Sequence, residues 1–420
     1  MIIEQVRIID PSRKIDDVRD LYIDGDQFSA GPVAGDTVRI DGRGLVAFPG
    51  LIDMHVHLRD PGLTYKEDIL TGTAAAAAGG FTTVACMPNT KPVLDVPAQL
   101  EYVTEKARTA SARVFPVAAV TIGQEGKALT DFTTLKAAGA VAFSDDGVPV
   151  DSAAMLREAM RQAHALAIPI ISHCEDREMV QNFGVNEGAV SHKLGLPGRP
   201  AVAEAIQVAR DILLAQDTGA HVHIAHVSTA QSVELIRRAK ADGVSITAET
   251  CPQYFTLTED TLLTRGPLAR VNPPLRTAAD QTAIIAGLQD GTIDAIVTDH
   301  APHSAAEKTG SITDTMSGMI GLETALGLTL TALYHTGKLG LMEVARLMST
   351  AQAEILGLPY GTLEPSSPAD VTIFAPDESW TVEPDSFYSK ARNTPFGGMT
   401  LQGRVRYTIC GGKLQYQYIP

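Results

Sequence analysis

Five apolar runs of this chain end in residues able to bind a cation or move a proton. They are Leu51-Ile52-Asp53-Met54-His55-Val56-His57-Leu58-Arg59-Asp60, Phe143-Ser144-Asp145-Asp146-Gly147, Ile170-Ile171-Ser172-His173, Ile224-Ala225-His226-Val227-Ser228 and Ile296-Val297-Thr298-Asp299-His300. Neutral imidazoles and carboxylates are the ligands that borderline divalent metals such as zinc accept, whereas all-cysteine sets mark a structural zinc. The period of two along a strand puts His55 and His57 on one face. Each element alone is weak, because a histidine closing a strand is more often a hydrogen-bonded structural residue than a ligand. A second His-x-His, His221-Val222-His223, shows that the spelling decides nothing by itself. His223 and His226 have opposite parity on their strand, so both cannot face one axis. His226, at the strand end, is the better ligand candidate, and His221 and His223 are read as structural. Convergence is what gives the set meaning. Four histidines and two or more carboxylates meeting at one rim would make a binuclear centre, a bridging carboxylate holding two cations about 3.5–4 Å apart for hydrolysis.

Such a rim requires a particular fold. From Gly50 to about residue 360, short β-rich runs alternate with Ala-, Glu- and Leu-rich stretches of helical period, the signature of repeated βα units and a parallel sheet. The runs fall at roughly 51–57, 81–88, 113–120, 140–145, 168–174, 221–227, 244–250 and 294–299. Eight of them predict an α/β fold with a closed (β/α)8, TIM-like barrel, in which chemistry sits at the C-terminal strand ends. The stretch Pro200 to Ala215, with Ala201, Ala205, Val208, Ile212 and Leu213 at helical spacing and Gly219 as its stop, reads as a core-packing helix. Ala74–Ala78 ahead of Gly79-Gly80 reads as tight packing. Residues 1–47 and 365–420 read instead as short strands between turn signals such as Asp10-Pro11, Asp24-Gly25 and Asp41-Gly42. The expected organisation is a small β-sandwich built from both chain ends, 1–47 and 365–420, around a barrel domain at 48–364.

Composition narrows the function. The 420 residues include 49 acidic against 34 basic side chains, a net charge of −15, which argues against a nucleic-acid partner that needs clustered positive charge. Apolar residues at 45% and charged residues at 20% are those of an ordinary globular chain, neither disordered nor fibrous. The four cysteines lack CxxC spacing and sit in or beside apolar runs, as buried reduced thiols do. The first residues lack a leader pattern, and no stretch reaches about 18 uncharged apolar residues, so no membrane segment is expected and the cytoplasm is the default compartment.

The segments His55-Val56-His57-Leu58-Arg59-Asp60-Pro61-Gly62, Met87-Pro88-Asn89-Thr90, Ser144-Asp145-Asp146-Gly147 and Asp299-His300-Ala301-Pro302-His303 closely resemble the dihydroorotases of the type I branch of the amidohydrolase superfamily. The likeness runs over essentially the whole chain. It implies two divalent metal ions, expected to be Zn2+, with His55 and His57 on the more buried ion, His173 and His226 on the other, and Asp146 bridging them. Many relatives, hydantoinases among them, use a carboxylated lysine as that bridge. Asp145 stays open as the bridge, since spacing does not separate adjacent carboxylates. Asp299 would complete the first ion's coordination and serve as general acid and base. Opening a cyclic amide needs a nucleophile at neutral pH, and two cations sharing a water can lower its pKa from 15.7 toward about 7.

The implied reaction is the reversible cyclisation of N-carbamoyl-L-aspartate to (S)-dihydroorotate in de novo pyrimidine (UMP) biosynthesis. That substrate is an anion, so a net-negative protein must supply a local positive patch. His57, Arg59, Asn89, Asn272, His303, Ser317 and Gly318 match the family's substrate-contacting positions. Arg59 can hold a carboxylate with two prongs, its bland alternative being a surface ion pair with Asp60 or Glu67. Asn272, in Val271-Asn272-Pro273-Pro274, has a turn-forming role as its alternative. The polar, small-residue-rich stretch from His303 to Gly318 is expected to form a mobile lid. One departure is Cys251-Pro252-Gln253-Tyr254-Phe255, where relatives more often carry Pro-His-His; this touches loop packing and partner contacts, not the ligand set. Two rival readings remain: a hydantoinase- or allantoinase-like cyclic amidase, and a non-catalytic dihydroorotase-like scaffold for aspartate transcarbamoylase. A scaffold is expected to have lost ligands that this chain keeps. A homodimer and a complex with aspartate transcarbamoylase are left open as assemblies.

Overall fold

The computed structural model describes residues 1–33, 38–180 and 184–419. The chain opens with β1 (Ile2–Asp10), β2 (Ile15–Asp24), β3 (Gln27–Ser29), β4 (Arg39–Asp41) and β5 (Val46–Pro49). Eight parallel strands follow: β6 (Leu51–Val56), β7 (Phe81–Cys86), β8 (Arg113–Ala118), β9 (Ala142–Phe143), β10 (Ile170–Ser172), β11 (Val222–Ile224), β12 (Ile246–Thr250) and β13 (Ala295–Ile296). It ends with β14 (Val371–Thr381), β15 (Thr400–Cys410) and β16 (Lys413–Gln417).

The eight central strands pair in chain order, and the segment after β13 returns to β6 through a parallel bridge between Val56 and His300. The His57 N–H donates to the His300 carbonyl at 2.9 Å there, and Asp53 on β6 accepts from the Thr298 amide and hydroxyl. This is the (β/α)8 barrel that the eight apolar runs predict. Every residue of β6 and β7 is buried, as in parallel strands covered on both faces. The flanking strands form one sheet in the order β16-β15-β14-β5-β1-β2-β3, with β4 also on β1. The two chain ends join where β14 pairs antiparallel with β5, Thr372 opposite Phe48 and Phe374 opposite Val46. Phe48 and Phe374 meet edge to face at 4.7 Å within the barrel-side core, while Ile3, Val6, Ile8, Ile23, Val371 and Ile373 form a second core on the other side.

Two helices show how packing refines the sequence pattern. The helix Ile69–Ala78 starts at an Asp68–Thr71 capping box and buries Ala75, Ala76 and Ala77. A Cβ on Gly79 would stand 2.0 Å from the Leu322 carbonyl oxygen, so the small-residue run is there for close approach. The helix Val202–Thr218 ends at Gly219 in the left-handed region (φ 70) as expected. Its inner face differs from the expected apolar stripe, because Leu213 is 64% exposed whereas Glu204, Gln207 and Asp211 are buried. Those carboxylates are needed inside. Glu204 accepts from the amides of Ser228 and Thr229 just past β11, and Asp211 accepts from the Ser172 hydroxyl in β10. The four cysteines are free and buried. Among the described residues, no helix is long and apolar enough to cross a membrane.

Candidate active site

The strand ends converge. His55 near the end of β6 and His57 just past it bring their ring centroids to 5.5 Å. Asp146, just past β9, stands at the centre of the cluster. Its Oδ1 lies 3.3 Å from His55 Nε2 and 3.5 Å from both His173 Nδ1 and His226 Nε2, and its Oδ2 lies 3.4 Å from His57 Nε2. Asp299 Oδ1 lies 3.1 Å from His57 Nε2 and 3.7 Å from His55 Nε2. His173 Nδ1 and His226 Nε2 face each other at 2.8 Å. All six side chains are buried.

These residues fit divalent cations. Two groups, His55 with His57 and Asp299, and His55 with Asp146 and His226, each place one donor atom per residue within 4.8 Å of the others. His55 Nε2 and Asp146 Oδ1 are buried without a hydrogen-bond partner, a state that costs about 1–3 kcal/mol per group unless something else satisfies it. The nitrogen and oxygen donors suit zinc-like ions. The electrostatics point the same way. Burial works against an ionised Asp146, yet the imidazoles of His55, His173 and His226 hold its carboxyl well below the usual range. Burial likewise works against a charged His173, but Asp146 and Glu175 push it up to about 9. The cluster demands positive charge, which protons or metal ions can provide.

Asp145 turns the other way. It accepts from the amides of Val120 (2.8 Å) and Thr121 (3.1 Å) and from the Thr121 hydroxyl (2.5 Å), and burial pushes its carboxyl up to about 6. The parity argument for His223 and His226 does not survive. β11 ends at Ile224, and His226 adopts φ 35, a left-handed turn that brings its ring back to within 5.2 Å of the His55 ring while His223 also reaches the interior. Period-two reasoning holds only while the chain stays extended. Arg59 (φ 59) and Asp299 (φ 48) are also left-handed, so three residues of the cluster and its rim sit in sparsely populated backbone conformations, as functional sites often do.

A cavity of about 770 Å³ opens above the cluster. His57, Arg59, Asn89, Asp146, His173, His226, Asn272, Asp299, His303, Ser317 and Gly318 all line it, whereas His55 and the alternative bridge Asp145 do not. Among the described residues, Arg59 makes no surface ion pair. It is buried, Asp60 goes to Lys106 (2.5 Å), and Glu67 binds Ser389 and Thr71. The Arg59 Nε donates to the Pro302 carbonyl at 3.2 Å, which leaves the forked end of the guanidinium for a ligand. Asn89 Oδ1 accepts from His57 Nδ1 at 2.9 Å, turning the amide nitrogen away from that bond. Asn272 fills both of its readings: it sits in the turn before Pro273, whose carbonyl accepts from the Tyr254 hydroxyl at 2.7 Å, and its side chain bonds Arg199 and lies 3.4 Å from His173 Nε2.

His303 is pushed down to about 3 by burial and by Arg59, Lys66 and Lys308, so its ring is neutral and carries one proton. That proton goes to the Ser317 carbonyl (Nε2 to O 2.8 Å), and the other nitrogen is buried 3.6 Å from Glu307 Oε2. The stretch from His303 to Gly318 covers the cavity through Thr313, Asp314, Thr315 and Met316. The Lys308 ammonium anchors it to the carbonyls of Met316 (2.8 Å) and Gly318 (3.0 Å), and Arg270 to that of Ile312 (2.6 Å). Gly318 (φ 132) leaves no room for a side chain, since a Cβ would stand 2.8 Å from that of Ala301.

A family model described as "Dihydro-orotase-like" matches residues 44–232. The dihydroorotase of Syntrophus aciditrophicus (strain SB) is 48% identical over 98% of both chains. That of Citrifermentans bemidjiense is 49% identical over 99% of both. The chain belongs to the dihydroorotase family. Among solved structures, an L-hydantoinase (dihydropyrimidinase) from Arthrobacter aurescens superposes with a TM-score of 0.88 at 25% identity, covering 98% of this chain and 95% of that one. A dihydropyrimidinase from Brevibacillus agri gives 0.85 at 24% identity over 98% and 94%, which speaks for the shared fold alone.

Within this dihydroorotase-family chain, sequence reasoning missed several residues at the site. Glu249, wholly buried in β12, contacts His55 Nδ1 at 2.6 Å. Glu175 lies 3.8 Å from His173 Nε2, is paired with Arg199 at 2.6 Å, and its carboxyl is pulled down to about 2 by His173 and Arg199 against the opposing effect of burial. Arg270 and Lys308 were also passed over. A carboxylate closing the strand Ile246–Thr250 was the available signal for Glu249, and the spacing of two from His173 for Glu175. Arg270 and Lys308 had none, because they act on backbone carbonyls.

Proposed function

We propose that the chain is a metal-dependent dihydroorotase that closes N-carbamoyl-L-aspartate to (S)-dihydroorotate and opens it again, in the cytoplasm, with two divalent cations of which Zn2+ fits the donor set best. The observation that carries this reading is one cavity lined side by side by five members of the His/Asp cluster and by Arg59 and Asn89, whose N–H groups suit an anion. His55, His57 and Asp299 would hold the more buried ion and His173 and His226 the other. The contacts of Asp146 with all four histidines, and the full engagement of Asp145 elsewhere, support Asp146 as the bridge. When bound, the two cations supply an acidified water and polarise the amide carbonyl. Asp299 then takes the proton of the attacking water and returns it to the departing ring nitrogen, the two-way transfer that general acid–base catalysis requires. Arg59 grips the substrate carboxylate, Asn89 and Asn272 offer amide groups, and Ser317 and Gly318 close the far wall.

The direct test is turnover of dihydroorotate and carbamoyl aspartate by the purified, metal-loaded chain, alone and with aspartate transcarbamoylase, beside hydantoin and allantoin. Faster turnover of either neutral ring would sink the dihydroorotase reading in favour of the cyclic-amidase rival. Arg59→Met sharpens it. Loss of a charge-assisted contact worth ~1.5–3 kcal/mol is expected to raise KM for dihydroorotate about 10- to 100-fold. The melting temperature should move by a few degrees at most, and an unchanged KM would remove Arg59 from the substrate site.

A further inference from the structure

The second His-x-His, set aside in the sequence as structural, is tied to the cation cluster by one carboxylate. Glu249 Oε1 takes the Nδ1 proton of His55 at 2.6 Å and lies 3.3 Å from the backbone N–H of His226. Its Oε2 stands 3.1 Å from His223 Nε2, off the line of a well-aligned hydrogen bond. Behind His223 the contacts continue, with Nδ1 2.7 Å from the Thr247 hydroxyl, which in turn lies 2.9 Å from His221 Nε2. A single assignment of protons is consistent along the row, with the His223–Glu249 contact an electrostatic approach rather than an aligned hydrogen bond. His221 Nε2–H donates to Thr247, the Thr247 hydroxyl donates to His223 Nδ1, and His223 Nε2–H and His55 Nδ1–H both face Glu249. His223 and Glu249 are wholly buried, away from bulk solvent.

The consequence for His55 is a matter of tautomer. A neutral imidazole has one N–H and one lone pair, and an acceptor on Nδ1 leaves the lone pair on Nε2. Nε2 is the atom that faces Asp146 and Asp299 without a hydrogen-bond partner. The opposite tautomer would aim a proton at the place where a cation must sit. We propose that Glu249, itself held by His223, is the positioning residue that fixes the tautomer and ring of His55 and thereby sets the affinity of the more buried cation site. Carboxylates behind ligating histidines typically govern affinity or activity by about 10–100-fold. The inference rests on the two-cation reading of the cluster and does not depend on which cyclic amide is the substrate.

The test is titration of metal-free protein with Zn2+, by calorimetry or competition with a chelator, for the native chain, Glu249→Gln and His223→Phe. Glu249→Gln is expected to weaken the tightest Zn2+ site about 10- to 100-fold, with KM for dihydroorotate within about twofold and the melting temperature of the metal-free protein nearly unchanged. His223→Phe, which leaves the Glu249 contact to His55 in place, should weaken it less. Should Glu249→Gln fail to fold, Glu249→Asp, which keeps the charge but draws it back by a methylene, carries the same expectation. Zn2+ affinity within threefold of the native value in the folded variant would overturn the proposal. So would a loss of affinity matched by an equal collapse of the metal-free fold, which marks a purely structural role. A native chain that binds Zn2+ tightly yet leaves dihydroorotate untouched would overturn the substrate reading instead, and the affinity comparison would still decide the role of Glu249.

Discussion

Asp299→Ala is expected to lower kcat for dihydroorotate opening by about three orders of magnitude while most of the bound metal stays in place. The size follows from what a positioned general acid–base group contributes, typically 10²–10⁴-fold. Retention of metal follows from geometry. His55 and His57 keep Asp146 within 3.3 Å and 3.4 Å when the Asp299 carboxylate is gone, so the deeper ion loses one ligand of several. The backbone at Asp299 is left-handed (φ 48), a conformation that alanine tolerates less well than aspartate or asparagine. Asp299→Asn is therefore the companion variant, keeping shape and backbone preference while removing the basic oxygen. Both should lose turnover in stopped assays of dihydroorotate opening, with metal content per chain followed by elemental analysis. Turnover within tenfold of native in either variant would show that the proton passes through another group.

Asp146→Ala should be the more damaging change, because it removes the one side chain that touches all four histidines. Without it, His55, His173 and His226 are left facing one another with no anion between them, and His173 and His226 are already only 2.8 Å apart. Metal content is expected to fall below one ion per chain and activity by at least about 10⁴-fold, beyond the range of a lost acid–base group alone. Asp145→Asn is the internal control. Its carboxylate serves the turn at Val120 and Thr121, so that variant should cost about 1–3 kcal/mol of stability through imperfect satisfaction of those donors. It should still bind two ions per chain. The reverse pattern, metal lost in the Asp145 variant and kept in the Asp146 variant, would exchange their roles.

The residue order alone was enough for the alternation of eight apolar runs with helical stretches, and hence for the barrel, because burial on both faces writes itself into consecutive residues. It was also enough for the nearness of His55 to His57 and for polar residues closing five strands, since strand period and strand ends are local properties. Other features lay beyond it. Asp145 and Asp146 differ by one position, and which one turns inward depends on where β9 stops and on the donors at Val120 and Thr121 across the neighbouring strand end. His223 and His226 share a cluster because the chain leaves β11 through a left-handed turn, which no parity argument anticipates. The polar inner face of the helix Val202–Thr218 is set by the amides of Ser228 and Thr229 that Glu204 must satisfy. Glu249 stands against His55, 194 positions earlier in the chain, only because the barrel closes. Local spacing records what a strand or helix needs for itself, whereas the partners of a buried charge are chosen by closure of the fold, where leaving that charge alone would cost more than any local preference returns.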